Sequence, residues 1–231
     1  MTRPLGARID CAALRHNLAR VRALAPGRRV LAVVKADAYG HGGERAVAAL
    51  ADADGFGVAT LDEALAVRAA APGARVVLLE GFFDPAELPR VAEAGLDVVV
   101  HCPEQVAALE AFLPRRVGGV WLKLDSGMNR LGFPAEEGPA WHRRLAPLVA
   151  DPAELRLMTH LACADEPGNP HTTAQLERFD GACAALPGER TIANSAGVVA
   201  WPESRRDWVR PGLMLYGASP LQGRAAADLG L

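Results

Sequence analysis

At 231 residues the chain suits one or two domains, and a single (β/α)8 barrel takes about 250. Half of its residues are hydrophobic, 23% are charged and the formal net charge is -2. That composition supplies a substantial core and excludes a polybasic surface for nucleic acid or membrane. No apolar run reaches the roughly 18 residues of a membrane span, and the opening MTRPLGARID lacks the apolar centre of a signal peptide.

In chain order, Asp10 caps a helical stretch over Ala12–Leu24, and the apolar run Val30–Val34 reads as a first strand. A helix over Glu44–Ala51 follows a pair of glycines, then a strand over Gly55–Ala59. Thr60 caps a helix over Leu61–Ala71, with Glu63 three residues on as the partner of a capping box and Pro72-Gly73 as the stop. Strands at Arg75–Leu79 and Asp97–Val100 come next, then a helix over Pro103–Phe112 and a strand over Val120–Asp125. The last strands are Leu155–Leu161, Thr191–Asn194 and Val209–Leu215, with a helix over Thr172–Leu186 ahead of Pro187-Gly188. Their continuous apolar character suits parallel strands buried on both faces, and strand–helix alternation through eight strands predicts a (β/α)8 barrel of the TIM type.

Active sites of such barrels gather at the carboxyl ends of the strands. There the sequence sets Lys35, then Lys123, Asp125 and Arg130 in LKLDSGMNRLG, then Thr159-His160, then Asn194-Ser195-Ala196-Gly197, then Arg210-Pro211-Gly212-Leu213. Of 25 basic residues only Lys35 and Lys123 are lysine, leaving 23 arginines. Arginine serves ion pairs and phosphate forks well but cannot form a Schiff base, so each surviving lysine is a candidate primary amine. A lysine directly after Leu-Ala-Val-Val is either an amine at an apolar barrel mouth, its charged form disfavoured by burial, or one that snorkels out to solvent. Ser195 and the backbone around Gly197 and Gly212, with the phenol of Tyr39, offer a phosphate cradle after the seventh and eighth strands. An aldehyde-reactive lysine beside a phosphate site is what pyridoxal phosphate requires. The four cysteines form no CxxC pair and no metal spacing, so no metal site is expected, and reduced thiols suit a cytoplasmic protein.

VVKADAYGHG resembles the lysine signature of alanine racemases, the fold-type III class of pyridoxal-phosphate enzymes. DSGMNRLG, the stretch Thr159–Asp165, Ala193–Ala196 and VRPGLMLYG are similar to further family motifs in the family's order, over essentially the whole chain. The resemblance implies interconversion of L-alanine and D-alanine through a pyridoxal-phosphate aldimine at Lys35, supplying D-alanine for peptidoglycan. Lys35 takes or returns the α-proton on the D-alanine side. Tyr39, Ser195, Gly212 and Leu213 hold the phosphate, Arg210 faces the pyridine nitrogen, and His160 supports Arg210. Arg130 contacts the substrate carboxylate, and Lys123 corresponds to a lysine often carbamylated in the family.

Family members are longer, form homodimers and carry a second, mainly β, domain whose tyrosine is the second base. Neither Tyr39 nor Tyr216 matches that tyrosine. The expectation is a barrel over residues 10–231, a segment 1–9 that packs on the further domain, and little turnover by the barrel alone. Three other readings stay open. The chain could bind pyridoxal phosphate without catalysis, act as a cofactor-free Schiff-base aldolase, or be an interaction scaffold, which leaves the polar strand ends unexplained. Lys123 could equally be an ordinary barrel lysine paired with Asp125, and His160 a core histidine.

Overall fold

Alternation along each strand decides which side chains enter the barrel and which face the helices. In a computed structural model describing residues 6–231, eight strands form a closed parallel ring: β1 (Arg29–Val33), β2 (Gly55–Val58), β3 (Val76–Leu78), β4 (Asp97–Val100), β5 (Gly119–Asp125), β6 (Leu155–Met158), β7 (Arg190–Thr191) and β8 (Trp208–Val209). Each pairs with its neighbours in sequence order, and β8 closes on β1 with Val30 opposite Val209. A two-residue extension, Phe133–Pro134, pairs with the end of β5.

Residues of one parity, including Val30, Ala32, Val76, Leu78, Val98, Val120, Leu122, Leu157 and Val209, join the core between sheet and helices. Residues of the other parity form a second cluster inside the ring: Leu31, Val77, Val99, Trp121, Met158 and Trp208. Trp121 and Trp208 meet edge to face at 5.6 Å. Because both faces are buried, the strands read as continuous apolar runs. The same parity, carried two residues further up each strand, sets the site: Val33 and then Lys35 above Leu31, Lys123 above Trp121, His160 above Met158, and Arg210 above Trp208.

Among the described residues, eight right-handed α-helices surround the ring: α1 (Cys11–Leu24), α2 (Gly43–Ala49), α3 (Leu61–Ala70), α4 (Leu88–Glu93), α5 (Pro103–Phe112), α6 (Gly138–Leu145), α7 (Pro170–Cys183) and α8 (Ser195–Ala200). α1 starts where the Asp10 carboxylate accepts the N–H groups of Ala12 and Ala13 at 2.8 and 3.2 Å. It packs against α2, α8 and the turn after β8, closing the outer ring where that strand has no long helix of its own. None of the described helices is long and apolar enough to cross a membrane.

Four sequence expectations change. The strand expected over Leu155–Leu161 ends at Met158, where Thr159 and His160 turn to the polar site. The strand expected over Val209–Leu215 ends at Val209, and Leu213–Tyr216 is a tight helical turn. Pro211 has no N–H to give a ladder and Gly212 loosens the backbone, so the apolar run turns instead of extending. The strand expected over Thr191–Asn194 stops at Thr191, and Asn194 caps α8 by accepting the Gly197 N–H at 2.9 Å. The capping box is half-formed. Thr60 Oγ1 accepts the Glu63 N–H at 3.3 Å, but the Glu63 carboxylate turns to other amides. Of the segment 1–9, residues 1–5 lie outside the described residues, while Gly6–Arg8 are exposed and Ile9 packs partly against the main core.

Candidate active site

The chain leaves β1 through an unusual turn. Lys35 follows the buried Val34, and Ala36, Asp37, Ala38 and Tyr39 then all have φ between 51 and 55°, one turn of left-handed helix built from non-glycine residues. Left-handed geometry costs an L-residue about 1–2 kcal/mol, so such a run persists only where the surroundings impose it, and strained backbone of this kind clusters at functional sites. The turn is closed by the Ala38 N–H donating to Val34 O at 2.9 Å and the Gly43 N–H donating to Asp37 Oδ1 at 2.6 Å. It directs Lys35 and Tyr39 to one cavity of about 500 Å³ at the carboxyl ends of the strands.

The nine residues given roles by the resemblance line that cavity: Lys35, Tyr39, Lys123, Arg130, His160, Ser195, Arg210, Gly212 and Leu213. Gly197, expected in the phosphate cradle, does not line it, because its N–H caps a helix by donating to Asn194 Oδ1 at 2.9 Å. Val33, Leu79, Met158 and Asn194 complete much of the wall, with Glu80 and Asp165 as its carboxylates. Four cationic side chains against two acids leave a positive balance that favours an anionic ligand.

Arg210 is buried and has no carboxylate partner. It donates to Thr191 Oγ1 at 2.5 Å, to Thr159 O at 2.7 Å, to Ile192 O at 3.2 Å and to His160 Nδ1 at 3.2 Å. Arginine only donates, so His160 Nδ1 is the acceptor and the ring proton sits on Nε2. Burial first, then the cations Arg210 and Lys123, hold the His160 pKa well below the ordinary histidine range, so the ring stays neutral. Burial also brings Arg210 down to about 10, which leaves it charged at neutral pH. Among the described residues nothing accepts from its Nε.

Ser195 and Gly212 meet across the β7 and β8 loops. Ser195 Oγ accepts the N–H groups of Gly212 and Met214 at 2.9 and 3.3 Å, which leaves its own O–H to donate elsewhere. Leu213 is the first residue of its turn, where an amide has no acceptor in the turn itself. What Gly212 contributes is space: a Cβ there would lie 2.5 Å from Tyr39 Oη, so any side chain would displace the phenol. Tyr39 rests on Tyr216 with ring centroids 4.9 Å apart, and Tyr216 Oη donates to Val33 O at 3.0 Å, tying the stack to β1. Desolvation raises the pKa of both phenols, so both are protonated donors.

Lys123 is buried within β5. Burial, then the neighbouring Arg210 and Arg130, lowers its pKa to about 8. It makes no ion pair with Asp125, whose Oδ1 is occupied by the N–H groups of Gly127, Met128 and Asn129 at 2.9, 2.9 and 3.1 Å. That turn aims the exposed Arg130 toward the cavity. Sequence reasoning missed Glu80, Asp165, Tyr216 and Glu63 as parts or supports of the site. Asp165 and Tyr216 lay inside quoted motifs; Glu63 was read only as a helix-capping residue.

The fold and cavity define a parallel (β/α)8 barrel enzyme scaffold with one cation-rich site at the carboxyl end, bearing a primary amine, a phenol and a glycine-lined cradle. The family model for the alanine racemase N-terminal domain matches residues 9–220, and the chain belongs to that family. It is similar to the alanine racemase of Shewanella baltica (strain OS185), 50% identical over 227 residues that cover 97% of this chain and 63% of that protein. Among solved structures, the biosynthetic alanine racemase from Pseudomonas aeruginosa is 48% identical with a TM-score of 0.93, over 100% of this chain and 64% of that one. An alanine racemase from Bartonella henselae, solved with covalently bound pyridoxal phosphate, is 29% identical with a TM-score of 0.80, over 92% and 60%. The chain thus spans about 63% of the length of the curated relatives it matches.

Proposed function

We propose that this chain is the cofactor-binding barrel of an alanine racemase and takes part in interconverting L-alanine and D-alanine with pyridoxal phosphate. The observation that carries the reading is Arg210, a cavity-lining arginine whose Nε has no acceptor among the described residues, in one cavity with Lys35 and the cradle of Ser195, Leu213 and Tyr39. This set matches the cofactor's three demands: an amine for its aldehyde, donors for its phosphate and a group for its ring nitrogen. When bound, the cofactor supplies an electron sink that acidifies the substrate's α-hydrogen.

The chain's own residues do the rest. Lys35 would hold the cofactor through its amine and would move the α-proton on the D-alanine face. Tyr39, Ser195, Gly212 and Leu213 form the phosphate end. Arg210, charged at neutral pH, would donate to the ring nitrogen and keep it from being protonated, limiting the sink and favouring clean proton return over transamination. His160, neutral through burial, holds the Arg210 guanidinium in place. Arg130 offers its guanidinium to the substrate carboxylate. A homodimer, a second base from outside this chain, a cytoplasmic location and a role in supplying D-alanine for peptidoglycan belong to the same reading.

The measurement is α-hydrogen exchange in D2O by the chain loaded with pyridoxal phosphate. Exchange by Lys35 needs a base on one face only, so D-alanine is expected to acquire α-deuterium faster than L-alanine. No exchange from D-alanine by a loaded chain sinks the assignment; binding without exchange then favours a cofactor carrier.

Lys123 is the proposed carbamate position. Its neutral Nζ attacks CO2, forms an N–C bond and releases a proton to solvent, and the resulting anion pairs with Arg130. A pKa near 8 makes the neutral amine accessible, and no competing ion pair holds it. With 13C-bicarbonate at pH 8, a carbamate carbon signal is expected that vanishes in Lys123→Ala and on acidification. Its persistence in the variant would assign it elsewhere.

A further inference from the structure

Glu63 lies outside the cavity, yet its carboxylate grips the segment that supplies two of the cavity's walls. Oε1 accepts the Ala36 N–H and Oε2 accepts the Ala59 N–H, both at 2.8 Å. Ala36 directly follows Lys35 and is the first left-handed residue. Ala59 directly follows β2, and Glu63 itself sits in the first turn of α3. One side chain therefore ties the start of the turn to the neighbouring β2–α3 unit. The turn's other hydrogen bonds run within it or to the residues just after it: Ala38 N–H to Val34 O, Gly42 N–H to Asp37 O, Gly43 N–H to Asp37 Oδ1, His41 N–H to Ala38 O, and the His41 ring Nδ1 against Ala38 O and Tyr39 O.

We propose that Glu63 is a positioning residue for Lys35 and Tyr39, holding the left-handed turn so that amine and phenol address one ligand together. The inference rests on the reading of the cavity as a pyridoxal-phosphate site. The chemistry explains why a carboxylate stands here. Both partners are N–H donors, so two acceptor atoms with no donor are required. Glutamine offers one acceptor and sets its NH2 against the second N–H. Aspartate is one methylene short of spanning both amides. Four L-residues do not stay left-handed unaided, so the grip has to come from outside the turn.

The test uses the 231-residue chain, E63Q first and E63D as the alternative should E63Q fold poorly. Without cofactor, hydrogen exchange of the peptide over 34–41 is expected to quicken by about tenfold or more, as loss of a hydrogen bond to a charged group implies, while peptides of β5 and β6 stay unchanged. With ligand, the ratio of affinities for pyridoxal phosphate over pyridoxal is expected to fall by about tenfold, because the phenol at the phosphate end is misplaced. Tyr39→Phe should lower that ratio in the native chain and have no further effect in E63Q.

Exchange over 34–41 that is unchanged overturns the proposal. So does a loss of affinity equal for both ligands with Tyr39→Phe still additive, which is the signature of a general structural role. A native chain that forms no adduct at Lys35 overturns the cofactor reading instead, and the exchange measurement still decides whether Glu63 holds the turn.

Discussion

Lys35→Ala is expected to abolish the borohydride-fixable adduct between this chain and pyridoxal phosphate, while Lys123→Ala keeps it. The chain has only two lysines, so the two variants divide the possibilities between them, apart from the terminal amine. On acidity alone Lys123 is a serious rival. With a pKa near 8 roughly a tenth of it is neutral at pH 7, against well under a thousandth of an ordinary lysine. Geometry argues the other way. Tyr39, Ser195, Gly212 and Leu213 flank β1, β7 and β8, the side of the ring where Lys35 emerges, and Lys123 lies on β5, four strands round the ring. Lys35 is therefore the amine nearer the proposed phosphate cradle. Peptide mapping after reduction gives the answer. An adduct on Lys123, or one that survives Lys35→Ala, would reverse the assignment and leave Lys35 as a snorkelling lysine.

The second large effect is at the opposite end of the barrel. Arg156→Ala is expected to destabilise the fold by about 3 kcal/mol, the scale for breaking a buried ion-pair network from one side. Arg156 is 4% exposed and reaches Glu154 at 2.8 Å, Glu189 at 2.9 Å and Asp97 at 3.9 Å. Arg75 binds Asp97 at 2.5 Å and Glu154 at 2.8 Å, and the indoles of Trp121 and Trp208 donate to Asp97 and Glu189 at 2.8 and 2.9 Å. These residues lie at the amino-terminal ends of their strands, where they plug the barrel beneath the tryptophans. Urea denaturation at pH 7 measures the loss. A change under about 1 kcal/mol, the scale of a surface pair, would mean that solvent already carries these charges.

The same network sets acid sensitivity. Arg156 and Arg75 hold Glu154 down to about 2 against its burial, and Trp208 and Arg156 lower Glu189. Groups whose folded pKa is depressed stabilise the fold above the ordinary carboxylate range, and that contribution disappears as pH falls from about 4.5 to 2. Asp97 opposes them: its burial outweighs Arg75 and raises its pKa, so it takes up its proton earlier in the folded state. The gain from Asp97 ends at its ordinary value of 3.8, while the loss at Glu154 runs on down to about 2, so stability should fall with acid below about 3.8, and less steeply in Arg156→Ala.

Much of this molecule was legible in its sequence. The strands were readable because burial on both faces made them uninterrupted apolar runs. The site was readable because polar residues gather at the carboxyl ends of those runs, although Arg75, Asp97 and Arg156 also mark the opposite ends. The helices Pro103–Phe112 and Leu61–Ala70 had clear starts, a proline in the first turn and a threonine cap. α4, α6 and α8 did not stand out, since each is eight residues or shorter and carries Pro or Gly near its start or within it. Cross-strand relations were illegible as well. The network under the barrel joins residues from Arg29 to Trp208, and only the closed ring brings them together.

By itself, the sequence determined the barrel and the order of its strands, because an uninterrupted apolar run is a local property of each strand, and the resemblance of its motifs named nine residues that line the cavity. The tertiary structure alone decided how those residues are held. The left-handed turn after Lys35 runs against the intrinsic preference of Ala36, Asp37, Ala38 and Tyr39, so no propensity could announce it. It exists because a carboxylate 27 residues away accepts the Ala36 N–H, a contact that forms only once β1 and β2 lie side by side.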